Sequence, residues 1–287
     1  MLYDISGNTI NSGYSKNGQS IAAAYNKDGV IIFPGDPSII KVMSYNCGSW
    51  YDGKGTNVPA DKDEFYYALQ NGMLLNDDPD ILCIEEYRAQ FSQAGRTASS
   101  MLSQYFPYIQ EQNGTDQYFG RAICSKYPIS NYATHLYSGE SKRYYDSCQI
   151  NIGGKDITIV VTHLDVNSRD KRAAQTQELI TFLSNKQRFI LCGDFNTIDS
   201  FNESGADYIA VVKPMLDEGF NAANCSTYGF LRTYSDAPTD GTWTGCLDNI
   251  FTSSNIAIQS AVVDETKLTS NLTERIDHMP IIADVEL

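Results

Sequence analysis

Four apolar stretches, each closing on a polar or titratable residue, limit the fold of this chain more than any other feature. They are Lys41-Val-Met-Ser-Tyr-Asn46, Asp80-Ile-Leu-Cys-Ile-Glu85-Glu86, Asp156-Ile-Thr-Ile-Val-Val-Thr-His163 and Phe189-Ile-Leu-Cys-Gly-Asp194-Phe-Asn196. Runs this short and this rich in Val, Ile and Leu read as strands, and their polar ends read as places where a strand delivers a side chain to a pocket. Strands are predicted at 39–46, 80–85, 122–125, 146–152, 156–163, 188–194, 247–252 and 281–285. Many are apolar on both faces and therefore need cover on each side, as in stacked layers of sheet and helix.

Helical patterns lie between them. Asp61 and Glu64 form a cap-like pair ahead of Phe65, Leu69 and Met73. Ser168 opens a segment running to Lys186 with Thr176, Leu179, Ile180 and Leu183 on its inner stripe. Tyr208, Val211, Val212 and Met215 make a third, which Pro214 should split into two short pieces. The spacings are too irregular for a barrel, and the fold class is α/β with mixed sheets.

The first 36 residues stand apart. Tyr3, Tyr14 and Tyr25, Gly7, Gly18 and Gly29, and Ile10, Ile21 and Ile32 recur every eleven residues. Asn17-Gly18 and Asp28-Gly29 are tight-turn signals, so each unit reads as strand, turn and strand. Pro34-Gly35-Asp36-Pro37 breaks the chain. The expected organisation is a small β-hairpin repeat appendage at 1–36, packing on the main unit or mediating assembly or attachment, and a main unit at 37–287.

The formal charge of −14 argues against a broad basic surface for nucleic acid. Carboxylates lining a metal site would contribute to such a balance, because the bound cation then presents the positive charge to phosphate. The seven Cys include no C-x-x-C pair, which excludes zinc ribbons. Cys83 and Cys192 sit inside strands as small hydrophobes, and Cys225 and Cys246 are spaced so that a disulfide is open. There is no long apolar run and no secretion signal at Met1-Leu2-Tyr3-Asp4. That suits a soluble cytoplasmic protein, although a chain trimmed of its signal would look the same.

Asp194 and Asn196, two apart, should reach one pocket and there bind metal, orient water or donate to an oxyanion, unless Gly-Asp-Phe-Asn is an ordinary turn. Of the three His, His163 and His278 lie at the ends of apolar runs, whereas His135 reads as a surface or loop residue. Asp248 offers a carboxylate to hold one imidazole in its tautomer. Asp277 and His278 are neighbours that should do different work. Glu85 and Glu86 face opposite sides, so one enters the pocket, where a Mg²⁺ ion would keep it ionised.

Ser44-Tyr45-Asn46, Asp80 to Glu86, Ser125-Lys-Tyr-Pro128, Thr162-His163-Leu164, Gly193-Asp194-Phe195-Asn196, Leu247-Asp248 and Asp277-His278, in this order, resemble the endonuclease/exonuclease/phosphatase superfamily of deoxyribonuclease I-like phosphohydrolases. The resemblance implies a four-layer α/β/β/α sandwich of two mixed β-sheets with the site at one edge. It implies Glu86 as metal ligand, aided by Asn46 and Asp277, with Mg²⁺ as the ion and Mn²⁺ or Ca²⁺ as substitutes. Asp194 and Asn196 would orient nucleophile and phosphate, Asp248 would buttress His278, and His163 would contact phosphate. This chain carries Glu85 where the family often has Gln. Arg121 reads either as a phosphate contact or as a solvated strand-edge residue.

The implied activity is hydrolysis of a phosphate ester, with phosphodiesters first, on nucleic acid or a phospholipid headgroup. A phosphomonoesterase and an inactive binding module are the alternatives. The Gly48 to Thr56 segment imitates a phosphate loop, but Gly55 stands where Ser or Thr is needed. No Gly-x-Ser-x-Gly elbow is present, which disfavours a serine hydrolase.

Overall fold

The computed structural model describes residues 38–48, 77–87, 96–112, 120–234, 244–264 and 278–287, together with short strands before residue 34 and at Ser92–Gln93. The predicted helix at Asp61, the segment around Lys54, the Asn17-Gly18 and Asp28-Gly29 turns, and Arg275 and Asp277 lie outside the described residues.

The early strands β1 (Leu2–Tyr3), β2 (Thr9–Asn11), β3 (Tyr14–Ser15), β4 (Ala24–Tyr25) and β5 (Ile31–Phe33) pair antiparallel in one sheet of order β3-β2-β1-β4-β5. A two-strand pair, β8 (Ser92–Gln93) and β9 (Arg96–Thr97), leads into the short helix α1 (Ala98–Leu102).

Two six-stranded mixed sheets make the body. The first contains β6 (Ile39–Asn46), β7 (Ile81–Glu85), β10 (Tyr108–Gln112), β11 (Arg121–Ser125), β18 (Ala257–Val263) and β19 (Ile281–Glu286), in the order β10-β11-β7-β6-β19-β18. The second contains β12 (Ile129–Leu136), β13 (Tyr144–Ile152), β14 (Lys155–His163), β15 (Phe189–Asp194), β16 (Asn221–Ala222) and β17 (Asp248–Thr252), in the order β12-β13-β14-β15-β17-β16. Each sheet holds one parallel pair at its centre, β6 with β7 and β14 with β15, and every other pairing is antiparallel.

Three buried clusters mark the contacts between layers. Ile40, Val42, Ile81 and Cys83 meet Ile159, Val161, Ile190 and Cys192 between the sheets. Met43, Tyr45, Leu82 and Ile84 pack under α1. Val160, Leu191 and Phe251 pack under α2 (Arg169–Leu183), a π-helical turn Tyr208–Val212 and α3 (Lys213–Asp217). Two covered faces explain the unbroken apolar runs, and each fully buried Ile or Leu contributes about 1.5–3 kcal/mol. Among the described residues no helix is long and apolar enough to cross a membrane.

The eight strands predicted from residue 39 onward all form, with ends shifted by a residue or two. Ser168 caps α2 by accepting from the Lys171 amide, and Thr176, Leu179, Ile180 and Leu183 are buried. Pro214 occupies the first turn of α3, where its missing N–H costs nothing, so the helical segment divides there. Strands β10, β12 and β18 escaped prediction because they are sheet edges, with polar and partly exposed residues along them. His135 is no loop residue: it lies on β12, half-buried, its ring stacked on Tyr145 at 4.7 Å and its Nε2 2.9 Å from the Ser147 hydroxyl. Cys225 and Cys246 are buried and free, and the Cys225 thiol donates to the Ala222 carbonyl at 3.1 Å.

Candidate active site

Strand alternation carries the site residues to one place. On β6 the residues Ile40, Val42 and Ser44 face the inter-sheet core, so Asn46 ends the strand on that face. The same step of two takes Ile157, Ile159 and Val161 to His163, and Ile190 and Cys192 to Asp194. On β17 the inward residue before Ile250 is Asp248. The pairs Asn46↔Glu85, His163↔Asp194 and Asp194↔Asp248 are in register, which aligns the polar ends at one rim. The carboxyl ends of parallel strands are the usual place for a ligand in open α/β sheets.

One oxygen is the hub. Asp194 Oδ2 accepts from Asn46 Nδ2 at 2.9 Å, and lies 3.4 Å from His163 Nε2 and 3.7 Å from His278 Nε2. Asp194 Oδ1 accepts from the Asn196 backbone amide at 2.8 Å. His278 Nδ1 is 2.8 Å from Asp248 Oδ2, which fixes the ring with Nε2 toward Asp194. Asp194, Asp248 and His278 thus present ligand atoms within 4.8 Å of one another.

Glu86 follows the end of β7 with φ 54°, a left-handed conformation that turns its carboxylate into the cleft. Asn46 Nδ2 lies 3.4 Å from Glu86 Oε1, and His163 Nδ1 lies 4.0 Å from the same oxygen. Glu85 faces the other way: it is fully buried between the sheets, accepts from the Ser44 hydroxyl at 3.2 Å and does not line the cleft. Asn196 also adopts a positive φ, 52°, and its side chain donates to the Leu164 carbonyl at 3.0 Å. Asp194 and Asn196 therefore share the cleft through a turn after β15, whereas simple alternation along one strand was expected.

Burial sets the protonation states. It pushes Asp194 up to about 6, against the pull of His278. It drives His163 well below the ordinary imidazole range, with Arg143 adding to the effect. His163 is therefore neutral near pH 7, and its approaches to Asp194 and Glu86 are polar contacts between a neutral ring and carboxylates. Burial, then Asp248, raise the Glu85 carboxyl well above its usual range.

The cleft has a volume of about 600 Å³ and contains Glu86, His163, Asp194, Asn196 and His278. Arg121 does not line it. It is 1% exposed between the sheets, paired with Asp146 at 2.8 Å and stacked 3.5 Å from the Tyr144 ring centroid. It is neither a strand-edge residue nor a cleft contact, because β11 lies between β7 and β10. Sequence reasoning missed the cations that line the cleft, Lys142, Arg143 and Arg172, of which Arg143 is buried in the wall and donates to the His163 carbonyl at 3.3 Å. The Lys142-Arg143 pair just before β13 was its sequence signal. Tyr234, whose ring centroid is 5.1 Å from that of His278, was equally missed, lying in a stretch without strand or helix pattern.

The residues present fit a divalent cation. The converging donors are carboxylate oxygens, which hard cations prefer, together with an imidazole nitrogen. His163 Nδ1 and Asp248 Oδ1 are buried without a hydrogen-bond partner among the described residues. Carboxylates so close together need positive charge between them.

Two mixed six-stranded sheets with few helices and a shared polar rim define the α/β sandwich class of deoxyribonuclease I-like proteins. The chain belongs to the Endonuclease/Exonuclease/phosphatase family, whose model matches residues 43–278. It is similar in fold to the endonuclease/exonuclease/phosphatase from Bacteroides vulgatus, with 14% identity, TM-score 0.64, and coverage of 87% of this chain and 99% of that one. A structure of D. rerio TDP2 complexed with single strand DNA product gives 14% identity and TM-score 0.63 over 88% of this chain and 100% of that one. The family protein from Beutenbergia cavernae DSM 12333 gives 12% and 0.63 over 87% and 72%. No curated protein matches the chain. Members of the family are generally phosphoesterases or nucleases that use divalent metals.

Proposed function

We propose that the protein is a divalent-metal-dependent hydrolase of phosphate esters, acting first of all on phosphodiesters. The observation that carries this reading is the convergence of Asn46, Glu86, His163, Asp194 and His278 around one rim, with Asp248 locked behind His278.

Glu86 and Asn46 would hold a Mg²⁺ ion, with Asp277 assigned to the same set by the resemblance alone. Such an ion supplies Lewis-acid stabilisation of the charge on phosphate. Asp194 positions the attacking water through its Oδ2, as a carboxylate whose raised pKa suits it to take a proton near neutral pH. Asp248 holds His278 by its Nδ1–H, which leaves Nε2 facing the reacting centre as a general base or, once it carries a proton, as a donor to the developing charge. Neutral His163 approaches the phosphate as a hydrogen-bonding partner, and the Asn196 backbone and side chain fix the turn that carries Asp194. Single-strand nucleic acid is one substrate class supported by the TDP2 neighbour, and the charge of −14 makes tight binding of a duplex unfavourable.

The test is a panel of bis(p-nitrophenyl) phosphate, p-nitrophenyl phosphate, plasmid DNA, single-stranded DNA, RNA and sphingomyelin with Mg²⁺ or Mn²⁺. Turnover of a diester that chelator abolishes supports the proposal; no turnover of any phosphoester with full metal sinks it.

A further inference from the structure

The cleft is larger than its polar centre requires. At about 600 Å³ it falls within the range of about 300–1,000 Å³ typical of drug-sized ligands, so it has room for an organic group beside a phosphate. Two large apolar side chains stand in its wall exposed to solvent, Val166 at 55% and Ile198 at 47%. Val166 comes three residues after His163 and Ile198 two after Asn196, on the two loops that carry the central groups. Leu247 continues the same lining.

These side chains do not point outward because their loops are loose. Asp165 Oδ1 accepts from the amides of Asn167 and Ser168 at 2.9 and 2.8 Å, and Asn196 Nδ2 ties the second loop to Leu164 O. Thr197 and Ser200 both donate to the Cys246 carbonyl, at 2.7 and 2.8 Å. Leu164 and Phe195 take the core positions of these loops, both fully buried, and leave Val166 and Ile198 fixed in the cleft. Among the described residues of the cleft the cations Lys142, Arg143 and Arg172 stand with the carboxylates Glu140 and Asp165, and Arg172 already pairs with Asp207 and Glu140 with Lys171, so they define no second anion site.

We propose that Val166 and Ile198 form a shelf that binds the apolar or aromatic organic group esterified to the substrate phosphate. This rests on the phosphoesterase reading and adds the side-group class: a hydrocarbon or ring next to the phosphate, in preference to a polyol or a second phosphate. Burying such a group against two aliphatic side chains favours it by transfer of apolar surface from water.

The experiment is calorimetric titration of the full chain, with Mg²⁺ present, by inorganic phosphate, glycerol phosphate, phenyl phosphate and pyrophosphate. Phenyl phosphate should bind about tenfold more tightly than glycerol phosphate. In Val166→Ser with Ile198→Ser that advantage should vanish while inorganic phosphate binds as before. Val166→Thr, which keeps the shape, and Ile198→Thr, which also removes the terminal methyl, should each lose part of it at an unchanged melting temperature. Equal binding of the phenyl and glycerol esters, or an advantage that survives the substitutions, overturns the shelf. So does pyrophosphate binding best in wild type and double variant alike. If inorganic phosphate does not bind and no phosphoester is turned over, the phosphoesterase reading fails first and the shelf with it.

Discussion

Asp194 sits at the centre of the site, since a single oxygen of it faces Asn46, His163 and His278. Replacing Asp194 with Ala, or His278 with Ala, should lower kcat on a diester by about a hundredfold or more, the scale of a lost acid–base or charge-stabilising group. Asp248 acts through His278, so Asp248→Asn should cost about 10–100-fold in activity while Mg²⁺ affinity, read by calorimetry, holds. The raised Asp194 carboxyl has a sign that melting curves can read. Its folded value of about 6 lies above the unfolded value of about 3.9, so between them the folded protein binds more protons. In chelator its contribution to stability is complete below about pH 4 and fades as pH rises through about 6. Asp194→Asn should flatten that part of the profile; a slope identical to wild type would show that the carboxyl titrates elsewhere. Residues such as Asp194, His163 and His278 were legible because each closes an apolar run. Arg143, marked locally only as part of a basic pair, and Tyr234 were not, because what brings them to the cleft is a hairpin register and a bridge to His278.

At the scale of elements, a period of two does the positioning. The alternation that packs Ile190 and Cys192 between the sheets also sets Asp194 at the rim, so core and site are specified by the same residues. Gly193 is the point of least tolerance. A Cβ there would collide with the Thr162 carbonyl and methyl across the β14–β15 pairing. Gly193→Ala should therefore destabilise the protein by about 1–3 kcal/mol, seen as a lower midpoint in denaturant, and should disturb catalysis through the shift of Asp194. An unchanged midpoint would mean that the two strands can separate freely. Central strands such as β14 and β15 were legible from composition, since both faces are covered, whereas the edge strands β10, β12 and β18 were not, since mixed polarity there mimics a loop. The turn geometry of Glu86 and Asn196, both at positive φ in non-glycine residues, was equally invisible, because it is imposed by the packing around it.

For the whole molecule, the family match begins at residue 43, after the five-stranded N-terminal sheet. We propose that residues 1–36 form a unit apart from catalysis, so a chain starting at residue 37 should melt cooperatively and hydrolyse a diester at an undiminished rate; a large loss would place the early sheet in the active fold. The two main sheets, by contrast, cannot be separated, because each supplies half of the rim: Asn46 and Glu86 from one, His163, Asp194 and Asp248 from the other. An ion held by Glu86 and Asn46 at that shared rim should stabilise the fold as well as the chemistry. The most direct test is the initial rate of bis(p-nitrophenyl) phosphate hydrolysis measured with Mg²⁺, after removal of metal by EDTA, and after Mg²⁺ is restored. The rate should fall to background in EDTA, return with Mg²⁺, and remain at background throughout in Asp194→Ala. Full turnover without metal, or wild-type turnover in that variant, would contradict a cation held at the common rim of the sheets.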